Sequence, residues 1–205
     1  MSESLKLIKP LKISGKSEVW ECEWDGRRAV AKFGTFGNEL DVLMSRVNGL
    51  PSVLTWHKNR KGQDFVREWV EGVTLAESCG KSMAPDRLIQ AVANTILGLQ
   101  RNGLPFIHGD ISPDNLLVNG HEIRLVDFEN SGWGESVRIN GVKWTFAAPE
   151  ILQTGATVQA DIFSLGKTLE FCGMASPLTN KMTRSLASER FQTWHEVLNA
   201  LNQDS

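Results

Sequence analysis

One loop constrains this chain more than any other feature: His108-Gly109-Asp110-Ile111-Ser112-Pro113-Asp114-Asn115, followed by an apolar strand and Val126-Asp127-Phe128. It places an acid at Asp110, an amide five residues later at Asn115, and a second acid, Asp127, beyond the short strand. One carboxylate can orient a hydroxyl group, while an amide and a second carboxylate can hold a metal ion. This order and spacing are hard to meet by accident, and phosphoryl transfer from Mg-ATP needs such a set.

At these residues the chain resembles the protein kinase superfamily. The family's catalytic loop reads His-Arg-Asp-Leu-x-x-x-Asn and its metal loop reads Asp-Phe-Gly. The resemblance implies that Asp110 orients the acceptor hydroxyl, and that Asn115 and Asp127 hold Mg²⁺ on the phosphates of ATP. It also implies that His108 is a packing and hydrogen-bonding residue, since the family uses it as a scaffold.

Composition limits the remaining classes. With 205 residues, 41% hydrophobic and 22% charged, the chain is expected to be globular. A formal charge of −2 gives no electrostatic reason to expect nucleic acid or an anionic membrane as partner. No apolar run is long enough to span a bilayer, and the first residues lack the layout of a signal peptide. The three cysteines are widely spaced, which predicts free thiols in a reducing compartment.

The first third of the chain predicts strands. Two of them, over Leu5–Ser14 and Glu18–Trp24, precede a third at Arg27–Phe33, and Asp25-Gly26 is a strong hairpin signal. Within the third strand, Val30-Ala31-Lys32 resembles the family's Val-Ala-Ile-Lys, whose lysine touches the α and β phosphates of ATP. Alone, the tripeptide is more often an ordinary edge strand. Upstream of the catalytic loop in the right order, it favours Lys32 as the catalytic lysine.

A helix is predicted over about residues 38–47, from apolar residues at helical spacing. Glu39, near its start, is the candidate for the acid that pairs with Lys32. The connection between strand and helix is short for the family, so Asp41 remains an alternative.

Two further strands, Val53–Lys58 and Asp64–Trp69, complete a predicted five-stranded lobe. The next segment resembles the kinase hinge, which implies adenine contacts from the main chain of Glu68 and Val70. Arg67 falls where the family usually has an uncharged residue, and it could turn outward or meet an acid. The resemblance also assigns three side chains to the nucleotide site: Val19, Ala31 and Leu117.

The remainder is predicted to be helical, beginning with a helix from Pro85 that ends near Gly103. Three later segments resemble kinase motifs that have a structural role. They are Ala148-Pro149-Glu150, the Asp161–Gly166 start of the central helix, and 186–191, whose Arg190 pairs with Glu150 in the family. Thr193 and Glu196 predict a capping box for the last helix.

These features predict a single α+β kinase domain over residues 1–205, with two lobes. The five-stranded N-lobe covers about 1–70, the hinge about 68–73 and a reduced helical C-lobe about 74–205. Only a short stretch separates the central helix from Arg190, so the substrate-docking helices of the family are expected to be absent or reduced. The smallest kinases of bacterial secretion effectors are similar in this trimming.

Several positions depart from the family pattern. Lys12, Ser14 and Ser17 stand where the glycine-rich loop has glycines, and Gly15-Lys16-Ser17 imitates the end of a P-loop without its context. Ser112 stands where Ser/Thr kinases commonly place a lysine near the γ phosphate. Gly109 replaces an arginine that binds a phosphorylated activation loop, which suggests activity without activating phosphorylation. Glu129 replaces the glycine of Asp-Phe-Gly.

Three functional classes follow. A Ser/Thr protein kinase using ATP and Mg²⁺ leads, because the three architectural motifs belong to protein kinases. A small-molecule kinase of the aminoglycoside or choline type is second, favoured by Gly109 and Glu129. A pseudokinase that acts as a binding module is third. For the leading class the expected partner is a protein substrate, such as a host protein or a chaperone, and the expected location is the cytoplasm or, for an effector, a host cell.

Overall fold

The computed structural model describes residues 4–13, 17–60, 62–79, 83–141 and 143–203. The chain forms two compact units, of which the first comprises Met1–Arg46 with Leu50–Val70 and the second Val47–Gly49 with Glu71–Ser205.

The first unit is a five-stranded antiparallel sheet with one short helix. The sheet order is β1-β2-β3-β5-β4, so neighbours along the chain are neighbours in the sheet except where β5 lies between β3 and β4. The elements are β1 (Leu5–Ile13), β2 (Glu18–Trp24), β3 (Arg27–Thr35), α1 (Glu39–Leu43), β4 (Val53–Asn59) and β5 (Gly62–Glu68). The predicted five-strand pattern is confirmed over the described residues.

The turn between β2 and β3 forms where the Asp-Gly pair predicts it. Asp25 has φ +46° and Gly26 has φ +76°. Two consecutive left-handed residues are what a two-residue hairpin turn requires, and they fix the register in which Trp24 faces Arg27. The same register places Lys32 opposite Val19.

Small side chains on one face of the sheet form the core of the first unit. Cys22, Ala29 and Ala31 are fully buried and Val66 nearly so. Because side chains alternate across a strand, Ala29 and Ala31 share a face. Larger, partly buried residues cover this face: Trp20, Trp24, Phe33 and Leu54.

Helix α1 is shorter than the sequence predicts: it ends at Leu43 and not near Val47. The Ser45 hydroxyl donates to the Val42 carbonyl at 2.5 Å, and Arg46 takes a left-handed φ of +54°. A side chain that bonds the last turn and a left-handed residue both terminate a helix.

The second unit is mainly helical, with one three-stranded and one two-stranded sheet of short strands. Its elements are β6 (Val73–Thr74), α2 (Leu75–Ser78), α3 (Pro85–Gly98), β7 (Phe106–Ile107), a 3-10 turn (Pro113–Asn115), β8 (Leu116–Asn119), β9 (Glu122–Leu125), β10 (Gly132–Trp133), α4 (Ile151–Thr154), α5 (Val158–Phe171), α6 (Pro177–Met182), a second 3-10 turn (Ala187–Glu189) and α7 (Trp194–Gln203). The reduction predicted between the central helix and Arg190 is present, since only α6 and one 3-10 turn lie in that fully described stretch.

Helix α5 is the central element of the second unit. Most of its residues from Ala160 to Leu169 are buried, so it contacts neighbours on several sides. A Cβ built on Gly166 would lie 2.7 Å from Thr183 Cγ2 and 2.9 Å from Met182 Cβ, so the glycine allows the end of α6 to approach closely.

The last helix is capped by Thr193, whose hydroxyl accepts from the Glu196 amide at 3.2 Å. In a capping box Glu196 would accept from the Thr193 amide, but its Oε2 accepts instead from the amide of the preceding residue, Gln192, at 2.8 Å. Both predicted residues therefore cap the helix, although the backbone partner of Glu196 is one residue earlier than predicted.

The prediction of three free thiols is wrong for two of them. Cys79, after α2, and Cys172, after α5, form a disulfide with Cα atoms 5.1 Å apart, and their sequence separation is 93. Cys22 is free and buried. Wide sequence spacing therefore did not prevent pairing, since tertiary structure brings the ends of two helices together. None of the helices formed by the described residues combines the length and apolar composition that crossing a bilayer needs.

Candidate active site

The predicted catalytic loop is tied to the central helix by Asp161. Its carboxylate oxygens accept from the His108 amide at 2.6 Å and the Gly109 amide at 2.9 Å. Burial raises the pKa of Asp161 to about 7, an effect that the two amides oppose and the nearby Asp110 charge reinforces. Asp161 thus sets the path of the backbone just before Asp110, which is the architectural role expected of it.

His108 is held by bonds from both ring nitrogens. Nε2 lies 3.2 Å from the Val126 carbonyl and Nδ1 accepts from the Asp110 amide at 3.3 Å, an arrangement that requires the proton on Nε2. Its ring also packs edge-on against Phe128, with centroids 5.0 Å apart. Complete burial lowers the pKa of His108 to about 4, so the ring is neutral near pH 7. A neutral ring with both nitrogens engaged is a scaffold.

Gly109 has a structural reason to lack a side chain. Its φ is +78°, and a Cβ there would lie 2.7 Å from the Asn130 carbonyl oxygen. The position where many kinases carry an arginine therefore has no room for one here.

Asp110 and Asn115 are brought together by the loop and the 3-10 turn that follows it. Asn115 Nδ2 donates to the Asp110 carbonyl at 2.7 Å and to Asp110 Oδ2 at 2.9 Å. Asn115 is buried, whereas the Asp110 side chain keeps 22% of its surface exposed. The amide therefore fixes the orientation of a carboxylate that a substrate hydroxyl can reach.

The hairpin of β8 and β9 carries Asp127 to this loop. Leu116 pairs with Leu125, and the Val126 amide donates to the Asn115 carbonyl at 3.0 Å. Asp127 itself has a left-handed φ of +64°, which is unusual for a residue other than glycine. Such backbone strain is common where a side chain is aimed at a ligand.

These donors fit magnesium by their chemistry. Because Asn115 Nδ2 is directed to Asp110, the amide oxygen is the atom of Asn115 that could ligate a cation, and Asp127 supplies carboxylate oxygens. Mg²⁺ is usually bound by one or two such groups, with waters and substrate phosphates completing its coordination. The described residues contain no cluster of three or more His, Cys, Asp or Glu that could hold a metal ion.

Sequence reasoning missed Lys143. Its ammonium donates to Ser112 Oγ at 2.9 Å and lies 3.6 Å from Asp110 Oδ2 and 3.5 Å from Asp114 Oδ2. The available signal was a lysine shortly before Ala148-Pro149-Glu150, combined with the missing lysine at position 112. Neither observation alone reveals that the two positions meet.

The first unit contains the predicted lysine and its acid. Lys32 Nζ donates to Glu39 Oε2 at 2.6 Å, and the side chains are only 5% and 3% exposed. The structure thus chooses Glu39 over the alternative, Asp41, which is exposed at the helix surface. The burial of Glu39 also means that removing Lys32 alone would leave a buried carboxylate without this partner.

The other residues assigned to the nucleotide lie as follows. Ala31 and Val70 are buried, Val19 and Leu117 are half-buried, and Glu68 is exposed at the end of β5. Burial does not test a nucleotide contact, so the assignment of each of these residues to the nucleotide stays a prediction.

Arg67 turns inward. It is 8% exposed, and its Nη1 donates to the Glu68 carbonyl at 3.0 Å. The adenine contact of Glu68 stays a prediction, and the Arg67 guanidinium lies at the same carbonyl that the resemblance assigns to it.

The degraded glycine-rich loop lies partly outside the described residues, which exclude Ser14, Gly15 and Lys16. Of the flanking positions, Lys12 is exposed and Ser17 is buried. The P-loop, which the sequence context argues against, falls mainly on residues outside the described ones, and a phosphate contact from Lys16 or Ser17 stays a prediction.

The predicted Glu150–Arg190 pair is present and bidentate. Arg190 Nη1 donates to Glu150 Oε1 at 2.6 Å and Nη2 to Oε2 at 2.9 Å. Burial acts to raise the pKa of the Glu150 carboxyl, but the Arg190 guanidinium outweighs it and holds that pKa below its usual range. This pair fixes the end of the segment on which Lys143 lies.

Comparison with known proteins agrees with this geometry. A family model described as "Phosphotransferase enzyme family" matches residues 19–136. Among curated proteins, the chain is similar to the serine/threonine-protein kinase PknG of Mycolicibacterium smegmatis, at 25% identity over 55% of this chain and 15% of that protein. It is also similar to serine/threonine-protein kinase pkpA of Phycomyces blakesleeanus, at 29% identity over 67% of this chain and 24% of that protein. PknG of Mycobacterium leprae matches at 30% identity over 55% and 16% of the two chains. The chain thus spans a quarter or less of the length of these relatives.

A solved structure shares the fold. The Cydia pomonella granulovirus kinase PK-1 superposes with a TM-score of 0.75, covering 95% of this chain and 92% of that one, at 16% identity. The predicted α+β kinase-like fold is thereby confirmed.

Proposed function

The chain belongs to the Phosphotransferase enzyme family, within the protein-kinase-like superfamily, and from that premise we propose that it phosphorylates serine or threonine hydroxyls of a protein. The donor is ATP, as the family implies. In the proposed reaction the acceptor oxygen bonds to the γ phosphorus, the bond from that phosphorus to the β–γ bridging oxygen breaks, and ADP leaves.

The proposal gives Asp110 the acceptor side of the reaction. Its carboxylate accepts a hydrogen bond from the substrate hydroxyl, orients it for in-line attack, and takes up the proton as the bond forms. The single observation that carries this role is the bond from Asn115 Nδ2 to Asp110 Oδ2, which orients the carboxylate, while a second bond from Nδ2 to the Asp110 carbonyl holds the amide in place. His108 cannot compete as base, because its low pKa and two ring bonds leave it in the scaffold.

The proposal gives the donor side to three residues. Asn115 Oδ1 and the Asp127 carboxylate would hold Mg²⁺, which when bound neutralises charge on the phosphates. Lys32, positioned by Glu39, would contact the α and β phosphates. Phosphoryl transfer of this kind depends on positioning and charge neutralisation, which this set can supply.

A protein acceptor is supported by two observations. The curated relatives are described as serine/threonine-protein kinases, although they match at 25–30% identity and over a small share of their length. The bidentate Glu150–Arg190 pair is the second, since the motif that it joins is typical of protein kinases.

The test is transfer of label from γ-labelled ATP with Mg²⁺ in a eukaryotic lysate, comparing the wild type with Asp127→Ala. Label on serine or threonine of a discrete protein, absent with the variant, is the expected result. Glu129→Gln is a matched control, because it removes a neighbouring carboxylate that has no assigned metal role. Equal labelling by wild type and Asp127→Ala would refute the assignment of Asp127.

A small-molecule kinase is the second candidate, and the match to the Phosphotransferase family model favours it. Gly109 and Glu129 favour it as well. A panel of aminoglycosides and amino alcohols, assayed by ADP release, separates the two: turnover with a small acceptor and none with proteins would replace the first proposal by this one. Mg-dependent nucleotide binding without turnover on either panel would support the pseudokinase.

The partner and location remain part of the proposal. The reduced stretch between α5 and Arg190 supports a likeness to compact effector kinases, and hence a host protein or chaperone as target, with action in the cytoplasm or in a host cell. If the protein labels serine or threonine of another protein substrate but neither binds nor labels any protein of a host lysate, this part is wrong while the proposed chemistry stands.

A further inference from the structure

The catalytic loop needs a cation that its own sequence lacks. Residues 108–115 include two carboxylates, Asp110 and Asp114, and neither lysine nor arginine. A transferring phosphoryl group carries negative charge on its outer oxygens, so two nearby carboxylates without a compensating cation would oppose its approach.

Lys143 brings a cation to this loop from a separate segment. Its ammonium is fixed by a 2.9 Å bond to Ser112 Oγ, while its contacts with Asp110 and Asp114 are longer, at 3.6 and 3.5 Å. Ser112 is fully buried, so its hydroxyl is a rigid acceptor. The cation is therefore positioned by a neutral group and attracted by two charges.

The backbone around Lys143 is also held in place. Its carbonyl accepts from the Phe146 amide at 2.9 Å and the Ala147 amide at 3.1 Å, which makes a compact turn. Further back, Val137 and Ala156 exchange two backbone bonds of 2.9 Å. This segment thus reaches the loop through contacts that require no phosphorylated residue.

We propose that Lys143 is a catalytic residue that contacts an outer oxygen of the transferring phosphoryl group, in the place of the lysine that Ser112 displaces. The inference rests on the proposed function, because it assumes that a phosphoryl group reaches Asp110. The long carboxylate contacts suit this role, since a partly exposed ion pair is weak and the ammonium can turn toward the phosphoryl group at little cost. The side chain is 40% exposed, so a substrate can reach it.

Single substitutions test the charge. Lys143→Met keeps the length of the side chain and is expected to lower kcat about 100-fold, the size of effect typical of removing one transition-state donor. KM for ATP should change much less, because a contact that strengthens in the transition state affects kcat first. Lys143→Arg should retain a substantial part of the rate.

Lys167→Met is the matched control. Lys167 is 35% exposed and is paired with Glu170 on α5. It therefore resembles Lys143 in exposure and in being paired with a carboxylate, but its partner Glu170 lies on α5 and not in the 108–115 loop. Its variant should keep the wild-type kcat. A loss equal to that of Lys143→Met would assign the effect to general loss of charge, and a rate increase in Lys143→Met would make Lys143 an inhibitory contact; either result overturns the proposal.

Exchange of the two positions is the sharper test. Ser112→Lys combined with Lys143→Ser moves the ammonium into the loop and the hydroxyl to position 143, so both side chains are still present. Its kcat should be at least about tenfold higher than that of Lys143→Met. Thermal unfolding checks that the exchanged protein folds. If the exchanged protein does not fold, the kcat of Lys143→Arg decides the test. The proposal is overturned if neither Lys143→Arg nor a folded exchange variant has a higher kcat than Lys143→Met.

A binding measurement separates this inference from the proposed function. With Mg²⁺, the wild type should prefer a non-hydrolysable ATP analogue to ADP, and Lys143→Met should reduce that preference, measured as the ratio of the two Kd values. A reduced ratio supports the contact with the terminal phosphoryl group even if no acceptor is found, in which case the proposed function fails alone. An unchanged ratio and an unchanged kcat, with Asp127→Ala inactive, would overturn the role of Lys143 and leave the function intact.

Discussion

Two buried ion pairs, one in each unit, differ in how the protein uses their cations. Lys32 donates to one carboxylate oxygen of Glu39, at 2.6 Å. Arg190 donates to both oxygens of Glu150 and also to three backbone carbonyls, those of Arg184, Gln159 and Ser185. All five N–H donors of the guanidinium are thereby used.

The bonds of Arg190 identify an architectural pair. Arg190 uses every donor of its guanidinium within the second unit, so it joins the 184–190 segment to α5 and has none left for a substrate. Glu39 holds the Lys32 ammonium in the first unit, and it is the family resemblance that assigns this ammonium to the phosphates of ATP in the proposed function. Burial alone does not separate the two pairs, since both cations are almost fully buried.

Replacing both members of the first pair should separate stability from activity. Lys32→Met alone leaves Glu39 as a buried charge without its partner, and we expect it to cost about 3–5 kcal/mol and to lower transfer by about 10³-fold. In Lys32→Met with Glu39→Met, stability should return to within about 1–2 kcal/mol of the wild type, because an apolar pair can replace a buried ion pair. Transfer should stay low.

Urea unfolding and transfer assays on the same samples check this. Recovery of transfer together with stability in the double variant would make the pair architectural and remove the distinction drawn above.

The second pair should behave in the opposite way. Arg190→Met should cost about 3–5 kcal/mol, and adding Glu150→Met should restore only part of this, since three carbonyls still lack their donor. Transfer per folded molecule should be close to that of the wild type at a temperature where the variant is folded. Full recovery of stability in the double variant would show that the carbonyl bonds contribute little.

His108 is an architectural residue whose contribution to stability should depend on pH, because its ring can titrate. Its folded pKa of about 4 lies below its ordinary value of 6.5, so the stability from the neutral ring is present above pH 6.5 and is lost as the pH falls toward 4. His108→Gln keeps a donor and an acceptor but does not titrate. The stability of the wild type relative to this variant should fall by about 3 kcal/mol from pH 7 to pH 4.

Denaturant unfolding at several pH values measures this difference. Asp161 also titrates between pH 7 and pH 4, because its pKa is raised to about 7, and its contribution to stability changes in the opposite direction. Both proteins contain Asp161, so its contribution largely cancels from the difference in unfolding free energy between them. A difference independent of pH would mean that His108 is not buried as a neutral ring.

The smallest expected effect compares two glycines with nearly equal, left-handed φ angles. Gly109 has φ +78° and Gly103 has φ +76°. A Cβ on Gly109 would lie 2.7 Å from the Asn130 carbonyl, whereas no atom of the described residues lies within 4 Å of one built on Gly103. Both alanine variants carry the left-handed strain, so Gly109→Ala should cost about 1–2 kcal/mol more than Gly103→Ala in thermal unfolding. Equal losses would show that the loop can shift away from Asn130.

Much of the fold could be predicted because its signals are local. The Asp25-Gly26 turn, the strands on either side and the Pro85 start of α3 depend on neighbouring residues, and the structure has them where expected. Helix ends were less predictable. Helix α1 stops at Leu43, where the Ser45 hydroxyl bonds the last turn and Arg46 is left-handed, and α3 stops at Gly98 rather than near Gly103; apolar spacing predicts neither end.

The sequence by itself predicted the loop and the hairpin that carry Asp110, Asn115 and Asp127, because their spacing is read directly. It also named both partners of the Glu150–Arg190 pair, but it left Asp41 open beside Glu39 as the acid that pairs with Lys32. Only the tertiary structure decided that Cys79 meets Cys172 and that Lys143 meets Ser112. These contacts join segments far apart in the chain, and neither side carries a local pattern that specifies the other, so packing of the second unit had to bring them together.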